Sequence, residues 1–182
     1  MVYPLWETSR ACGSENQIKK IKVMATRSTI AKLGKDGIIK SVYCHSDGYL
    51  EHNGKVLNEY YKDESKVDEL LAHGDISTLD QNIGEKLPFN DYMLFHEKKQ
   101  CRFYHRDRGE DLMFNEFESD IEYLEWAGDV ANGFIYLYAY GAWYVYDNTF
   151  VKCYGIASYR FVELEEALQN VPLKEYRVWV VG

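Results

Sequence analysis

The sequence predicts an α+β fold: an antiparallel sheet built from hairpins, with short helices packed against it. Three observations carry that expectation. Two stretches flank a glycine-containing turn with aromatic and β-branched runs. Apolar residues between and after them recur at helical spacing. Strands joined by tight turns, with helices inserted between them, indicate α+β with an antiparallel sheet.

Taken in order, Ile30, Ala31 and Leu33 run into Gly34-Lys35-Asp36-Gly37, and Ile38 to Cys44 follow, which predicts a first hairpin. Val56, Leu57, Tyr60 and Tyr61 recur at helical spacing, with Asn53 placed to cap a first short helix. Ser65-Lys66-Val67-Asp68 resembles a capping box for a second, in which Val67, Leu70 and Leu71 share a face and Gly74 is the left-handed terminator. Residues 75–100 mix Gly84, Pro88 and polar residues with few periodic cues and read mostly as loop. Asn115 is placed to cap a helix with Phe117, Ile121 and Leu124 pointing inward and Gly128 ending it. GFIYLYAYGAWYVYD is the clearest hairpin, with Gly141-Ala142 suited to a type II′ turn. A short helix around Glu163 to Gln169, stopped before Pro172, leads to a last strand from Tyr176 to Val181.

The 182 residues suit one domain, expected over 24–182, with 1–23 as an N-terminal extension of weak periodicity ahead of a second methionine, Met24. A content of 46% hydrophobic residues excludes a disordered chain, and no apolar run nears the roughly 20 residues of a bilayer span. Cys12, Cys44, Cys101 and Cys153 are scattered without a CxxC pair, and no secretory leader is evident, so a reduced cytoplasmic setting is expected. The net charge of -8 is uneven: residues 1–40 hold eight Lys/Arg against three Asp/Glu. A basic arm therefore precedes an acidic body, and Lys19, Lys20, Lys22 and Arg27 are the candidates for direct nucleic-acid contact.

YCHSDGYLEHNG, residues 43–54, gathers groups that look catalytic. On a strand, however, Cys44 and His45 point to opposite faces and cannot form a dyad. His45 and Asp47 could share a face, and with His105 they define a minor hydrolase reading; Ser46-Asp47-Gly48 as a turn is preferred. The spacing of Cys44, His45, His52, Cys101 and His105 does not suit zinc, and no common phosphate-binding or hydrolase fingerprint occurs. No catalytic residue, metal or cofactor is expected. CRFYHRDRGED, residues 101–111, holds arginines and aromatics that could stack on bases, but its own acids favour an internal ion-pair network. The tyrosine ladder Tyr136, Tyr138, Tyr140 reads first as sheet support and second as a protein interface.

The most informative charge pattern lies in NEFESDIEYLEWAGD. Glu118, Glu122 and Glu125 fall at i, i+4 and i+7, which predicts carboxylates roughly 5 to 6 Å apart on one helical face, near the phosphate spacing of a nucleic-acid strand. Asp111 and Asp129 lie close by, and Trp126 or Trp143 could anchor a contact. A charge run of this kind is most often a solvated face; the alternative is a surface that mimics DNA or RNA, for which the expected partner-binding set is Asp111, Glu118, Glu122, Glu125, Trp126 and Asp129.

In that order along the chain, MATRSTI, SVYCHSDGYLEHNGKVLNEYY, KVDELLAHGDIS and CRFYHRDRGE resemble a group of small proteins encoded by bacteriophages and mobile elements. The similarity covers most of residues 24–111, with a weaker echo in the tyrosine-rich hairpin and near Leu164. It implies a phage-borne accessory protein without implying a reaction. Chain length, phage character and the acidic helix further resemble an anti-CRISPR acting on a type II effector nuclease. That resemblance implies a non-enzymatic inhibitor in the host cytoplasm whose partner is the guide-loaded nuclease; the rival expectation is a nucleic-acid-binding phage regulator.

Overall fold

A computed structural model describes residues 26–147 and 161–170. The first hairpin pairs β1 (Ser28–Leu33) with β2 (Ile39–Cys44), antiparallel from Ser28↔Cys44 to Leu33↔Ile39. A π-helical turn at Leu50–Gly54 runs into α1 (Lys55–Tyr60), and α2 (Glu64–Ala72) follows. Next come β3 (Ile76–Thr78), α3 (Tyr92–Lys98), β4 (Arg102–Phe103), a second π-helical turn at Tyr104–Arg108, and β5 (Asn115–Phe117). The chain continues through α4 (Asp120–Val130), β6 (Phe134–Ala139), β7 (Ala142–Asp147), β8 (Val162–Glu163) and α5 (Leu164–Asn170).

These strands form one eight-stranded sheet ordered β4-β3-β2-β1-β6-β7-β8, with β5 also on β2. The class is α+β, as the hairpins predict. The sheet is mixed rather than wholly antiparallel, because β1 pairs parallel with β6 and β2 meets β3 in parallel at Cys44↔Ile76. A parallel pair needs a crossover, and the long excursion from β2 through α4 supplies it for β6.

Both faces of the sheet are covered at its centre, so β6 is buried at every position. One face carries Ile30, Val42, Cys44, Tyr136, Tyr138 and Val145 against Leu57, Val67, Leu70 and Leu164 of the helices. The other carries Ala31, Ile39, Ile135, Leu137 and Ala139 beneath Tyr123, Leu124 and Ala127 of α4. The tyrosine ladder is therefore core at two positions, with hydroxyls that cross to the helical layer. Tyr136 Oη donates to Gly48 O (3.2 Å) and Tyr138 Oη to Lys62 O (3.0 Å), while Tyr140 at the hairpin tip is 90% exposed. Trp143 is buried, with Nε1 donating to Tyr61 O, so it is not an anchor for a partner.

Several local expectations change. Asn53 caps nothing: it is buried, and Nδ2 donates to Ser28 Oγ, Cys44 Sγ and Ser46 O. Asp63, not Ser65, precedes α2; Gly74 has the left-handed φ of +71° expected of a terminator. The stretch read mostly as loop contains α3, whose start is capped by Asp91 accepting from Leu94 N at 3.1 Å. The hairpin tip is shifted one residue: Tyr140 and Gly141 both have positive φ, as a type I′ turn requires, because Ala139 pairs with Ala142. The extension 1–23 and the strand expected at 176–181 lie outside the described residues. Among the described residues, no helix is long and apolar enough to cross a membrane.

Candidate functional site: the acidic face of α4

Serine 119, rather than Asn115, caps α4. Its Oγ accepts from Glu122 N (3.2 Å), and Glu122 Oε2 reaches back to accept from Glu118 N (3.1 Å). This reciprocal arrangement is close to a capping box, legible in Ser119-Asp120-Ile121-Glu122. Asn115 instead belongs to β5 and pairs with Ser41.

Moving the start to Asp120 rotates the helix relative to the expected stripe. The buried residues are Tyr123, Leu124 and Ala127, while Ile121 is 55% exposed and Phe117 lies in β5. Gly128 sits inside the helix, which runs to Val130. Glu118 is exposed but precedes the helix, so the carboxylates that share a helical face are Glu122, Glu125 and Asp129, at i, i+3 and i+7. Asp111 is exposed in the segment leading to β5. Trp126 is half-buried, its ring 5.3 Å from Phe117 and 6.5 Å from Tyr123, so only part of it is offered outward.

Among the described residues, none of Asp111, Glu116, Glu118, Asp120, Glu122, Glu125 or Asp129 forms an ion pair. Within the described residues the acidic field of α4 therefore has no ion-pair partner. Sequence reasoning missed a separate set of exposed apolar residues near Gly74 at the end of α2: Leu112, Met113 and Phe114 are 44%, 54% and 38% exposed. Their signal was three consecutive large apolar residues between Asp111 and Asn115, which suits neither helix nor strand periodicity. Lys40 Nζ lies 3.9 Å from the Phe114 ring centroid.

The chain matches no known family model, curated protein or solved structure. The acidic surface must therefore be judged by its own geometry.

The histidine motif is used structurally. Tyr43 Oη and His45 Nδ1 are 2.8 Å apart, and no hydrogen bond joins His45 to Asp47 among the described residues. Asp47 takes a positive φ of 55°, and its carbonyl accepts from Asn53 N, which closes the turn. Gly48 is required there, since a Cβ would lie 2.7 Å from Ser28 Cβ and 2.8 Å from Thr26 O. His105 is separate and exposed, with Nδ1 bonded to Glu110 O. Burial pushes the thiols up, Cys44 to about 12 and Cys101 to about 11, so neither is a ready nucleophile. No three His, Cys, Asp or Glu side chains among the described residues are grouped to hold a metal.

The arginine motif divides. Arg106 forms the expected internal fork with Asp107 (2.8 and 2.9 Å), and Asp107 also accepts from Phe103 N and Leu87 N. Arg108 pairs with Glu110 at 3.0 Å. Arg102 has no acid. Arg27 is exposed, its backbone N donating to Asn132 Oδ1, while Lys19, Lys20 and Lys22 lie outside the described residues.

Proposed function

We propose that the protein is a phage-borne inhibitor that works by binding rather than by catalysis, and that its partner is the guide-loaded effector nuclease of a type II CRISPR system in the host cytoplasm. The observation that supports this reading is the acidic face Glu122, Glu125 and Asp129, without an ion-pair partner among the described residues and with exposed Ile121 beside it. Such a nuclease holds its heteroduplex in a positively charged channel and reads a short flanking motif with arginines. A rigid row of carboxylates can occupy either place, steered by opposite charge, while Ile121 and the open part of Trp126 supply apolar contact.

Glu125→Lys with Asp129→Lys is the informative variant, because both residues are exposed and neither belongs to the helix cap. Plasmid protection in cells carrying a guided nuclease, with pull-down of that nuclease, should show inhibition by the parent chain. The double variant should lose it, with slower association at low salt. Full potency in the variant, or no capture by the parent, overturns the reading.

A further inference from the structure

The two motifs that the acidic helix leaves unused meet on one part of the sheet. Cys44 pairs with Ile76, and Ile76 with Phe103, three buried side chains on one face. Alternation then places Tyr43 and Arg102 on the other face, the side of α4, and a bulge between Ile76 and Thr78 brings the hydroxyls of both Ser77 and Thr78 to Arg102. The apolar cluster beneath α4 includes none of them. This end of the face is a polar, aromatic patch flanked by α3.

Arg102 is its centre. The residue is 6% exposed, and among the described residues no carboxylate lies within ion-pair distance of it or of Arg27. Nε and Nη2 donate to Ser77 Oγ (3.1 and 2.8 Å), Nη2 to Thr78 Oγ1 (3.3 Å), and Nη1 to Phe89 O (3.5 Å). The guanidinium lies 4.0 Å from the Tyr92 ring centroid and 4.8 Å from that of Phe89. Hydroxyls, a carbonyl and π-faces hold the group in place, and among the described residues none supplies a counterion. Tyr92 is 60% exposed, so its ring rests on the cation and remains open outward. Arg108 stands over Phe89 and Tyr104 at 5.3 and 6.0 Å.

The charges nearby agree. Burial first, then Arg27 and Arg102, lower the pKa of His45 and favour its neutral form. In the tautomer whose Nδ1 accepts from the Tyr43 hydroxyl, Nε2–H is left as a donor. Of the acids near the patch among the described residues, Glu110 pairs with Arg108, and Asp75 Oδ1 accepts from Tyr43 N.

We propose that this patch binds the unpaired nucleotides of a single-stranded nucleic acid, with a base stacked on the open face of Tyr92 and phosphate drawn to Arg27, His45 and Arg102. Every base has a π-face, so stacking on one exposed tyrosine over a basic surface binds single strands with little sequence preference. A duplex hides its bases and gains only the charge. The site is distinct from α4 and stands whether or not the inhibitor reading does.

Fluorescence anisotropy of the full chain with labelled oligouridine RNA, oligothymidine DNA and a duplex of equal length tests it at ~50 and ~200 mM salt. The parent should bind single strands more tightly than duplex, with affinity falling as salt rises. Tyr92→Ala should weaken single-strand binding on the order of tenfold. Arg27→Ala should weaken it with a shallower salt slope, by about one ion. Both side chains are exposed, and unchanged circular dichroism will verify folding. A preference between the RNA and the DNA identifies the strand. Equal affinity for duplex, no salt-sensitive binding, or unaltered affinity in both variants overturns the proposal. So does binding that Lys19, Lys20 and Lys22→Ala abolish while Tyr92→Ala and Arg27→Ala leave it intact.

Discussion

Replacing Glu122 by lysine should destabilise the domain, replacing it by glutamine should do so less, and replacing Glu125 by lysine should leave it almost unchanged. The difference follows from the start of α4, where Glu122 Oε2 accepts from Glu118 N while its own N donates to Ser119 Oγ. Lysine removes the acceptor and sets a positive charge in the first turn, where the helix dipole favours a negative one by about 0.3–1 kcal/mol. Loss of a cap interaction adds about 1 kcal/mol. The total of about 1–2 kcal/mol corresponds to a melting temperature lower by roughly 2–8 °C for a chain of this size. Glutamine keeps an oxygen acceptor and loses only the charge. Glu125 lies beyond the first turn and is exposed, so its reversal should stay within about 0.5 kcal/mol. Thermal unfolding of the four proteins by circular dichroism measures this. If Glu122→Lys melts with Glu125→Lys, the cap reading is wrong, and if the glutamine variant falls as far as the lysine one, the oxygen acceptor is not what matters.

Other perturbations have equally definite outcomes. Tyr123→Phe removes a buried hydroxyl that lies 2.8 Å from Thr29 Oγ1 and donates to Tyr136 O at 3.0 Å; stranding Thr29 should cost about 1–3 kcal/mol in urea unfolding. Iodoacetamide mapping by mass spectrometry should leave Cys44 and Cys101 unmodified at neutral pH until denaturant is added, since both thiols are buried and raised to about 12 and about 11. Burial lowers the pKa of His45 and His73, so the unfolded chain binds protons first as pH falls through the ordinary histidine range near ~6.5. Stability contributed by these two neutral rings is therefore present above that pH and lost below it, and His73→Gln should flatten the decline in unfolding free energy between about pH 7.5 and 5.5.

Much of this fold was legible because its signals are local. The β1–β2 hairpin follows from two β-rich runs around Gly34 to Gly37, and α2 from Val67, Leu70 and Leu71 with Gly74 beyond. What the sequence hid was set by distant partners. Asn53 has the composition of a cap, yet Ser28 and Cys44, brought to it by the sheet, take its amide. The parallel β1–β6 pair has no local signature, since nothing within either strand specifies its neighbour. At the acidic site, exposure of Glu122, Glu125 and Asp129 was readable from charge, but the inward face was not. Ile121 and Tyr123 are both apolar enough to be buried, and the choice between them depends on a hydroxyl that finds Thr29. Arg102 was hidden for a similar reason: proximity in sequence to Asp107 and Glu110 suggested pairing, while the strand register turns it toward Ser77.

The sheet itself keeps the two proposed surfaces apart. One edge of β2 is shared, with Ile39 to Ser41 paired to β5, which leads into the acidic helix, and Cys44 paired to β3, which leads to Arg102. Three to five residues along a strand separate the two branch points by about 10–17 Å, beyond the roughly 7–10 Å within which substitutions usually couple. The surfaces should therefore act independently. Combining Tyr92→Ala with Glu125→Lys and Asp129→Lys should give unfolding free energies that add to within about 0.5 kcal/mol. Single-strand affinity in the combined variant should match that of Tyr92→Ala once differences in long-range charge are screened at high salt. A large non-additive term would mean that α4 and the β3–β4 branch move together, and that strand binding and nuclease binding report on one surface.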